Sequence, residues 1–317
     1  MEYRRVGKSG LKVSALSLGA WLTAGHKGSD DEHIATIHRA IELGANYIDV
    51  ADVYANGRAE EVVGIAIKGM KRSDLVISTK AYWPITDNIN DRGLSRKHIL
   101  ESVEASLRRF GTDYVDLFFC HRFDPETPVE ETVRAIDDLI YQGKILYWGT
   151  SMWSADQIHL AFDVVQATGA YAPIVEQPRY NMLDRQVVEG PLEQTAERHG
   201  MGLVTFSPLA QGVLTGKYND GIPEGSRATT VDPDWFNRGL SQDRLSKTRQ
   251  LGAIAREIGT TTGALAIAWV IRHPLVASAI TGATRPEQVD QNFQALNVTI
   301  TDEIAARIEA ILSSPAA

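Results

Sequence analysis

The feature that most constrains the fold is an alternation of two kinds of segment, which repeats about eight times along the chain. A short apolar run rich in β-branched residues is followed each time by an amphipathic stretch with helical periodicity. The runs are typical of strands buried on both faces, and they span residues 15–21, 46–52, 75–81, 114–121, 145–151, 174–180, 202–208 and 276–283. Because strands that alternate with helices form parallel βαβ units, the pattern predicts one closed (β/α)8 TIM barrel over residues 1–317, rather than an open doubly wound sheet.

Capping signals mark the ends of several predicted helices. A hydroxyl or carboxylate at the start of a helix accepts free N–H groups, and a glycine at its end permits the left-handed exit. Both signals bound the segments from Asp30 to Gly44, from Ser95 to Gly111 and from Ser154 to Gly169.

Three segments lie outside the alternation. Residues 2–14 are predicted to form a hairpin that turns at Lys8–Gly10 and closes the floor of the barrel. Residues 217–245 are rich in Gly, Pro, Asp and Asn and are too long for an ordinary connection, so we interpret them as a lid over the site. The C-terminal segment is predicted to add accessory helices.

Charge and cysteine content argue against several classes of protein. A net charge of −8 does not suit a chain that coats nucleic acid, and no apolar run reaches the roughly 20 residues needed for membrane insertion. The single cysteine, Cys120, allows no internal disulfide and fits a reducing compartment. Since the N-terminus also lacks the apolar stretch of a secretory signal, we expect a cytoplasmic protein.

The ends of the predicted strands carry many polar side chains. In a barrel of this class the active site lies at the C-terminal ends of the strands. These ends offer Asp49, Asp52, Tyr54, Lys80, His121, Arg122, Ser151, Gln177, Arg179 and Ser207. Because an unpaired buried charge is costly, several ionisable groups that converge on one rim indicate a functional site.

A tyrosine, a lysine, an aspartate and a histidine together suit the reduction of a carbonyl group. The ordinary pKa of a tyrosine hydroxyl is about 10, and an adjacent ammonium such as Lys80 is expected to lower it. Tyr54 could then donate a proton to a developing alkoxide, while His121 orients the carbonyl or shares the proton. The hydride must come from a cofactor, since no side chain supplies one.

Other chemistries lack their motifs. There is no His-Glu-x-x-His and no Cys-x-x-Cys, so no metal site is expected. No Gly-x-Gly-x-x-Gly follows a strand, and the segment Gly212–Lys217 is one residue short of a phosphate-binding P-loop. Cys120 and His121 are not a nucleophile–base pair, because neighbouring strand residues point to opposite faces.

These residues lie in motifs that resemble the aldo-keto reductases, and among them the branch that contains the β-subunits of voltage-gated potassium channels. The resemblance covers essentially the whole chain. Its most specific parts are YIDVADVYANGRAEEVVG (47–64), ISTK (77–80), VDLFFCHRFDPETPVEETVRAI (115–136), YWGTSMWS (147–154), EQPRYNM (176–182), SPLAQGVLTGKY (207–218) and GATRPEQVDQN (282–292).

The resemblance implies a catalytic tetrad and a proton donor. Asp49, Tyr54, Lys80 and His121 match the family's catalytic positions, with Tyr54 as the proton donor. Asp52 is a chemical alternative to Asp49, and the motif match selects Asp49. Mammalian channel β-subunits have asparagine where this chain has His121, which favours a working reductase over a sensor.

The resemblance also implies NADPH, extended across the strand ends. Ser151 and Gln177 match residues that hold the nicotinamide amide, and Phe206 matches the aromatic next to the ring. Trp21 and Asp49 are also expected at the cofactor, while Ser207, Leu209 and Lys217 match contacts along the pyrophosphate. The positions that match the adenosine and 2′-phosphate end are Arg227, Gly282, Thr284, Arg285, Gln288, Gln291 and Asn292.

Aromatic residues near the same rim are expected to line the substrate pocket, since such pockets are mostly apolar. They are Trp21, Tyr82, Trp83, Trp153 and, within the predicted lid, Trp235. They suggest hydrophobic or aromatic carbonyl substrates without naming one.

Two alternatives to a carbonyl reductase remain at the level of sequence. One is an NADP(H)-binding regulatory subunit that senses redox state for a membrane protein. The other is a non-redox barrel enzyme such as an isomerase, which leaves Arg227 and Arg285 unexplained. By analogy with the tetrameric channel β-subunits, a homo-oligomer is a further expectation.

Overall fold

A closed barrel of eight parallel strands forms the centre of the molecule, in a computed structural model that describes residues 1–23, 29–224, 226–229 and 240–314. An antiparallel hairpin of β1 (Tyr3–Arg5) and β2 (Lys12–Ser14) precedes it. The barrel strands are β3 (Leu16–Gly19), β4 (Tyr47–Asp49), β5 (Val76–Ala81), β6 (Val115–Cys120), β7 (Ile145–Ser151), β8 (Val175–Gln177), β9 (Gly202–Phe206) and β10 (Val276–Thr281). Consecutive strands pair in order, and β10 closes the ring by pairing with both β9 and β3.

Helices surround the barrel and extend past its last strand. They are α1 (Ala20–Thr23), α2 (Asp30–Glu42), α3 (Arg58–Ala66), α4 (Arg96–Phe110), α5 (Val129–Tyr141), α6 (Ala155–Thr168), α7 (Glu193–His199), α8 (Gln242–Glu257), α9 (Thr262–Ile271), α10 (Pro286–Phe293) and α11 (Asp302–Leu312). The predicted TIM barrel and its N-terminal hairpin are therefore confirmed.

Each of the eight barrel strands lies within one of the eight predicted runs, and several strands are shorter than the runs. β4 ends at Asp49 because the chain then leaves the sheet, and the carbonyl of Val50 accepts a hydrogen bond from Lys80 Nζ at 2.6 Å. At the end of β3 the chain turns directly into α1. The predicted runs thus include residues beyond the strand ends, which is where a barrel of this class places its polar side chains.

The helix caps follow the predicted chemistry. Ser95 Oγ accepts the backbone N–H of His98, and Gly111 ends α4 in the left-handed conformation with φ 68°. Ser154 starts α6 with a reciprocal capping box to Gln157. At α2 the cap is Ser29, one residue before the predicted start.

The hairpin closes one end of the barrel. Val6 and Val13 pack with inward-facing strand residues that include Leu117, Phe119 and Val204. The backbones are very close there, since a Cβ atom added to Gly202 would lie 2.5 Å from the Gly7 nitrogen. The inward and outward faces of the strands form two hydrophobic clusters, one inside the barrel and one beneath the helices.

The opposite end of the barrel carries the strand C-termini and a set of connecting loops. Of the predicted lid, residues 225 and 230–239, including Trp235, lie outside the described residues. Within the described ranges, no helix has both the length and the apolar character needed to cross a membrane.

Candidate active site

A buried ion pair lies at the C-terminal end of the barrel. Lys80 Nζ, at the end of β5, is 2.7 Å from Asp49 Oδ2 at the end of β4, and the Lys80 side chain is fully buried. Burial alone would lower the pKa of Lys80, but Asp49 and Tyr54 together outweigh it, and the net shift is upward. Lys80 is therefore held as a cation inside the barrel.

The second oxygen of Asp49 joins three strands. Its Oδ1 accepts hydrogen bonds from Ser78 Oγ at 2.8 Å, Gln177 Nε2 at 2.9 Å and Tyr47 OH at 3.2 Å. Gln177 lies 128 positions later in the chain, at the end of β8. Asp49 is thus fixed by groups from opposite sides of the barrel, and its other oxygen, Oδ2, is directed at Lys80.

Tyr54 lies above this pair on a sharp turn. The turn runs from Tyr54 to Gly57, and Ala55 and Asn56 have φ values of 50° and 53°, in the left-handed region that non-glycine residues rarely adopt. Tyr54 OH is 3.4 Å from Lys80 Nζ, and its ring centroid is 5.9 Å from that of His121 in an edge-on arrangement. The four residues of the predicted tetrad are therefore grouped together.

The pKa of Tyr54 differs from the expectation based on sequence. Burial raises the pKa of Tyr54, and although Lys80 lowers it as expected, Asp49 raises it again, so the net shift is upward. The tyrosine hydroxyl therefore keeps its proton at neutral pH. Lys80 remains the nearby cation that can stabilise the phenolate once the proton has left.

His121 is held in its neutral form. Burial, reinforced by the positive charges of Lys80 and Arg122, places the pKa of His121 well below its ordinary value of 6.5. Its side chain is 7% exposed, and its Nδ1 has no hydrogen-bond partner among the described residues. A neutral imidazole next to Tyr54 can donate a hydrogen bond to a bound carbonyl oxygen without competing as the acid.

Asp52, the chemical alternative to Asp49, belongs to a different network on the outer side of the barrel. Its Oδ2 accepts a hydrogen bond from Ser102 Oγ at 2.6 Å, and burial raises the pKa of Asp52 to about 7. Nearby, Glu60 is fully buried, accepts a hydrogen bond from Thr79 and pairs with Arg109 Nε at 2.5 Å. The structure thus separates Asp52 from Lys80 Nζ, whose carboxylate partner is Asp49.

A cavity of about 1500 Å³ opens over the tetrad and extends along the rim towards α10. It is lined by Asp49, Tyr54 and His121, and by nearly all the residues predicted to contact a cofactor. Those residues are Trp21, Ser151, Gln177, Phe206, Ser207, Leu209, Lys217, Gly282, Thr284, Arg285, Gln288, Gln291 and Asn292. The backbone of Arg227 lies in a short 3₁₀ helix (Arg227–Thr229), and its side chain lies outside the described residues.

The end of the cavity near the tetrad is shaped by strained backbone. Met152 has φ 57°, and its N–H donates to the Gln177 carbonyl at 3.3 Å, as does Ser151 Oγ at 3.0 Å. The buried Glu176 accepts a hydrogen bond from the N–H of Trp153 at 3.2 Å, and burial raises the pKa of Glu176 to about 8. The Ser151 and Gln177 side chains are thereby fixed beside Asp49.

The far end of the cavity lies at the start of α10. Gln288 Oε1 accepts from the Thr284 N–H at 2.9 Å, and Asn292 Nδ2 donates to the Gly282 carbonyl at 3.2 Å. Arg285 immediately precedes α10, and its side chain is 59% exposed. Arg285 Nε lies 3.6 Å from Glu287 Oε2, in an ion pair that is exposed on both sides and that a bound anion could replace. A guanidinium at the start of a helix is suited to an anionic group.

Of the five aromatics predicted for the substrate pocket, four are described, and two of these, Trp21 and Trp83, line the cavity. Tyr82 packs edge-on against Trp83, with ring centroids 4.9 Å apart, and so lies behind the wall. Trp153 is buried against Phe123 at 5.0 Å. The left-handed turn at Met152 and the hydrogen bond from the Trp153 N–H to Glu176 direct the chain away from the cavity at this point.

Several residues that line the cavity have no role predicted from the sequence. Arg122 and Arg179 were recognised as strand-end residues, and both line the cavity. Gln211 also lines it, from a segment (Ala210–Thr215) in which Gln211 has φ 60°. The strand-end rule could find the two arginines, whereas no sequence pattern marked the backbone conformation that brings in Gln211.

Comparison with known proteins gives concordant matches over the chain. The model described as "Aldo/keto reductase family" matches residues 15–313. A probable voltage-gated potassium channel subunit beta of Arabidopsis thaliana is 48% identical over 320 residues, which cover 99% of this chain and 97% of the relative. A protein with the same description from Oryza sativa subsp. japonica is 47% identical over 320 residues, with the same coverage. A putative voltage-gated potassium channel subunit beta of Schizosaccharomyces pombe is 44% identical over 322 residues, which cover 99% of this chain and 94% of the relative.

Proposed function

Because the chain belongs to the aldo/keto reductase family, we propose that it is an NADPH-dependent reductase of aldehyde and ketone carbonyls. The observation that carries this proposal is the grouping of Tyr54, Lys80, Asp49 and His121 at one end of a large cavity. That grouping joins a protonated phenol, a buried cation and a neutral imidazole, which together suit proton donation to a carbonyl oxygen.

The cavity residues fit a nicotinamide dinucleotide. The cavity volume of about 1500 Å³ exceeds the roughly 300–1,000 Å³ of ordinary ligand pockets, which leaves room for a cofactor and a substrate together. At the tetrad end, Ser151 and Gln177 offer amide and hydroxyl groups for a carboxamide. At the other end, Lys217 and Arg285 offer positive charge for phosphates. NADPH bound there would supply the hydride.

In the proposed mechanism, Tyr54 is the general acid. Its raised pKa keeps the hydroxyl protonated until negative charge develops on the carbonyl oxygen. Lys80, 3.4 Å from the phenolic oxygen, then stabilises the phenolate. Asp49 holds Lys80 in place and keeps it charged, since Asp49 is itself fixed by hydrogen bonds from β4, β5 and β8.

His121 is proposed to orient the substrate. Its neutral ring, 5.9 Å from the Tyr54 ring, can donate one hydrogen bond to the same carbonyl oxygen. Donors fixed in advance around a developing oxyanion stabilise the transition state without further reorganisation. The two donors together place the carbonyl oxygen at the Tyr54 hydroxyl.

The test is loss of NADPH absorbance with a panel of aldehydes and ketones, for wild type and for Tyr54→Phe. We expect turnover to fall by about 10²- to 10⁴-fold, the usual contribution of a general acid, while NADPH binding is retained. Wild-type turnover by the Tyr54→Phe variant would contradict the proposed mechanism.

A second candidate function is an NADP(H)-binding regulatory subunit that senses redox state for a membrane protein. It is favoured by the names of the relatives, which are described as potassium channel β-subunits. The same assay separates the two candidates. NADPH binding without turnover of any carbonyl would favour the regulatory role, and Tyr54-dependent turnover favours the reductase.

A further inference from the structure

Two guanidinium groups at the tetrad end of the cavity form no ion pair with a carboxylate among the described residues. Arg122 follows His121 directly, and Arg179 lies two residues after Gln177. Both line the cavity, and both are half-buried. In the part of the chain that the structure describes, no carboxylate oxygen lies within 4.0 Å of a nitrogen of either group.

Arg122 is partly withdrawn from water in this position. Its Nη1 donates to the His121 carbonyl at 2.5 Å, and its guanidinium carbon lies 5.8 Å from the centre of the Trp83 ring. Burial lowers the pKa of Arg122. The carboxyl group that interacts with Arg122 is that of Glu176, and because the pKa of Glu176 is raised to about 8, this group is mostly protonated at neutral pH. Withdrawing a cation from water without an ionised partner is costly, so a bound anion would be stabilised here.

Within the described residues, the carboxylate that interacts with Arg179 is that of Asp184, which is already bonded to another arginine. Asp184 is close enough for the charge of Arg179 to help lower its pKa. Both Asp184 oxygens are already bonded to Arg244, at 2.9 and 2.8 Å. Arg179 therefore keeps donors for a group that enters the cavity.

Among the side chains that the structure describes, the other cations at this end of the barrel and along the cavity already have a partner or a proposed role. Lys80 is paired with Asp49. Lys217 and Arg285 are the groups proposed to bind cofactor phosphates. Arg122 and Arg179 have no such role, and both follow strands, β6 and β8, whose ends form one side of the cavity.

We propose that the physiological substrate is an aldehyde or ketone that carries a carboxylate, which Arg122 and Arg179 bind while Trp21 and Trp83 contact its apolar part. This inference deepens the proposed reductase function and depends on it for the reaction itself. A carboxylate matches the planar fork of a guanidinium and can accept two parallel hydrogen bonds from it. The carboxylate is unchanged by the reaction, in which the carbonyl gains a hydride from NADPH and a proton from Tyr54.

The test compares 4-carboxybenzaldehyde with methyl 4-formylbenzoate, its neutral ester, in the presence of NADPH. We expect wild type to have the higher kcat/KM for the acid. Arg122→Gln and Arg179→Gln should each lower the ratio of acid to ester kcat/KM by about 10- to 100-fold, as removal of a charge-assisted hydrogen bond does. Arg122→Lys, which keeps the charge, should restore part of the ratio.

Arg134→Gln is the matched control, since it also removes one positive charge. Arg134 lies on the outer face of α5, is 60% exposed, and pairs with Glu130 of the same helix. Its ratio should equal that of wild type. An equal acid-to-ester ratio in wild type and in both cavity variants would overturn the inference and leave the reductase proposal standing.

Binding of benzoate separates the two proposals further. Titration calorimetry on the protein loaded with NADP⁺ should show benzoate binding that weakens about 10- to 100-fold in Arg122→Gln and Arg179→Gln. If neither these aldehydes nor any carbonyl of the panel is reduced but benzoate binding depends on both arginines, the reductase proposal fails and the anion site stands. Benzoate binding that ignores both substitutions would refute the anion site directly.

Discussion

At the scale of single residues, Asp49 does more than neutralise Lys80, because it also positions the groups around it. One oxygen holds Lys80 and the other accepts three hydrogen bonds, so the carboxylate has little freedom to move. This arrangement separates the task of positioning from the task of proton donation, which we assign to Tyr54. Arg285, at the other end of the cavity, has a simpler proposed task, because it is exposed and need only meet a phosphate.

Replacing Arg285 with alanine should therefore change cofactor preference. We expect NADPH binding to weaken about 10- to 100-fold and NADH binding to change little, since only NADPH carries the 2′-phosphate that a guanidinium can bind. Lys217→Ala is the control, because a pyrophosphate contact is common to both cofactors and its loss should weaken both alike. Fluorescence titration of the two cofactors measures this, and equal weakening by Arg285→Ala would count against the 2′-phosphate assignment.

Sequence predicts the grouping of the tetrad because strand ends in a parallel barrel converge on one rim. It does not predict which way a side chain turns once the chain leaves the strand. Tyr82 and Trp153 both follow strands, yet both lie behind the cavity wall, and the Met152 backbone that redirects Trp153 has no marker in the sequence. Nor could sequence predict that burial outweighs Lys80 in setting the pKa of Tyr54.

At the scale of elements, the turn that presents Tyr54 is fixed from below by α4. Gly57 has φ 89°, and a Cβ atom there would lie 2.8 Å from Arg109 Cδ. Arg109 is in turn held by the buried Glu60 of α3, so it cannot move aside freely. The turn, α3 and α4 therefore act as one unit behind the proposed proton donor.

Gly57→Ala should damage both stability and turnover. A left-handed alanine costs about 1–2 kcal/mol, and disturbing the Arg109–Glu60 pair should add about 1–3 kcal/mol. Gly69→Ala is the matched control, with φ 83° and nothing within 4 Å of the added atom. It should lose about 1–2 kcal/mol in urea unfolding and retain its turnover. Equal stability and turnover in the two variants would show that the Arg109 contact is unimportant.

The end of β8 should make stability depend on pH. Because the pKa of Glu176 is raised from 4.5 to about 8, the folded state binds more protons than the unfolded state between those values. Stability contributed by this proton is therefore lost as the pH rises through about 8. Glu176→Gln should flatten the fall in the urea midpoint across that range.

Asp52→Asn provides the comparison for Glu176→Gln. The pKa of Asp52 is raised from 3.8 only to about 7, so its contribution is lost at lower pH. Between pH 7 and 8, the plot of urea midpoint against pH should be flattened substantially by Glu176→Gln and much less by Asp52→Asn. If the urea midpoint of Glu176→Gln depended on pH as that of wild type does, Glu176 would already be ionised in the folded protein.

At the scale of the whole molecule, the two ends of the barrel have different tasks. The hairpin end is closed by tight backbone packing between Gly7 and Gly202, and the other end holds the cavity. Alternation of strands and helices predicted this architecture, whereas the fit of β1 and β2 against the barrel depends on contacts between residues about 200 positions apart, which no local pattern encodes.

Gly202→Ala should destabilise the protein without altering its chemistry. The added Cβ would meet the backbone of Gly7, which cannot move aside as a side chain could, and we expect a loss of about 1–3 kcal/mol. Gly10→Ala, with nothing within 4 Å of the added atom, should be neutral or stabilise by up to about 1 kcal/mol. Well below the melting temperature, both variants should keep the wild-type kcat. A large fall in kcat for Gly202→Ala would show that the two ends are coupled.

The seam between β3 and β10 has a consequence for synthesis on the ribosome. β3 gains its second neighbour only when residues 276–281 have emerged, after all the other barrel strands. Until then the nascent chain has two open sheet edges, at β3 and at the most recently made strand, and such edges readily pair with other chains. A chaperone that shields the first strands during translation should therefore raise the yield of this protein more than one that acts after release.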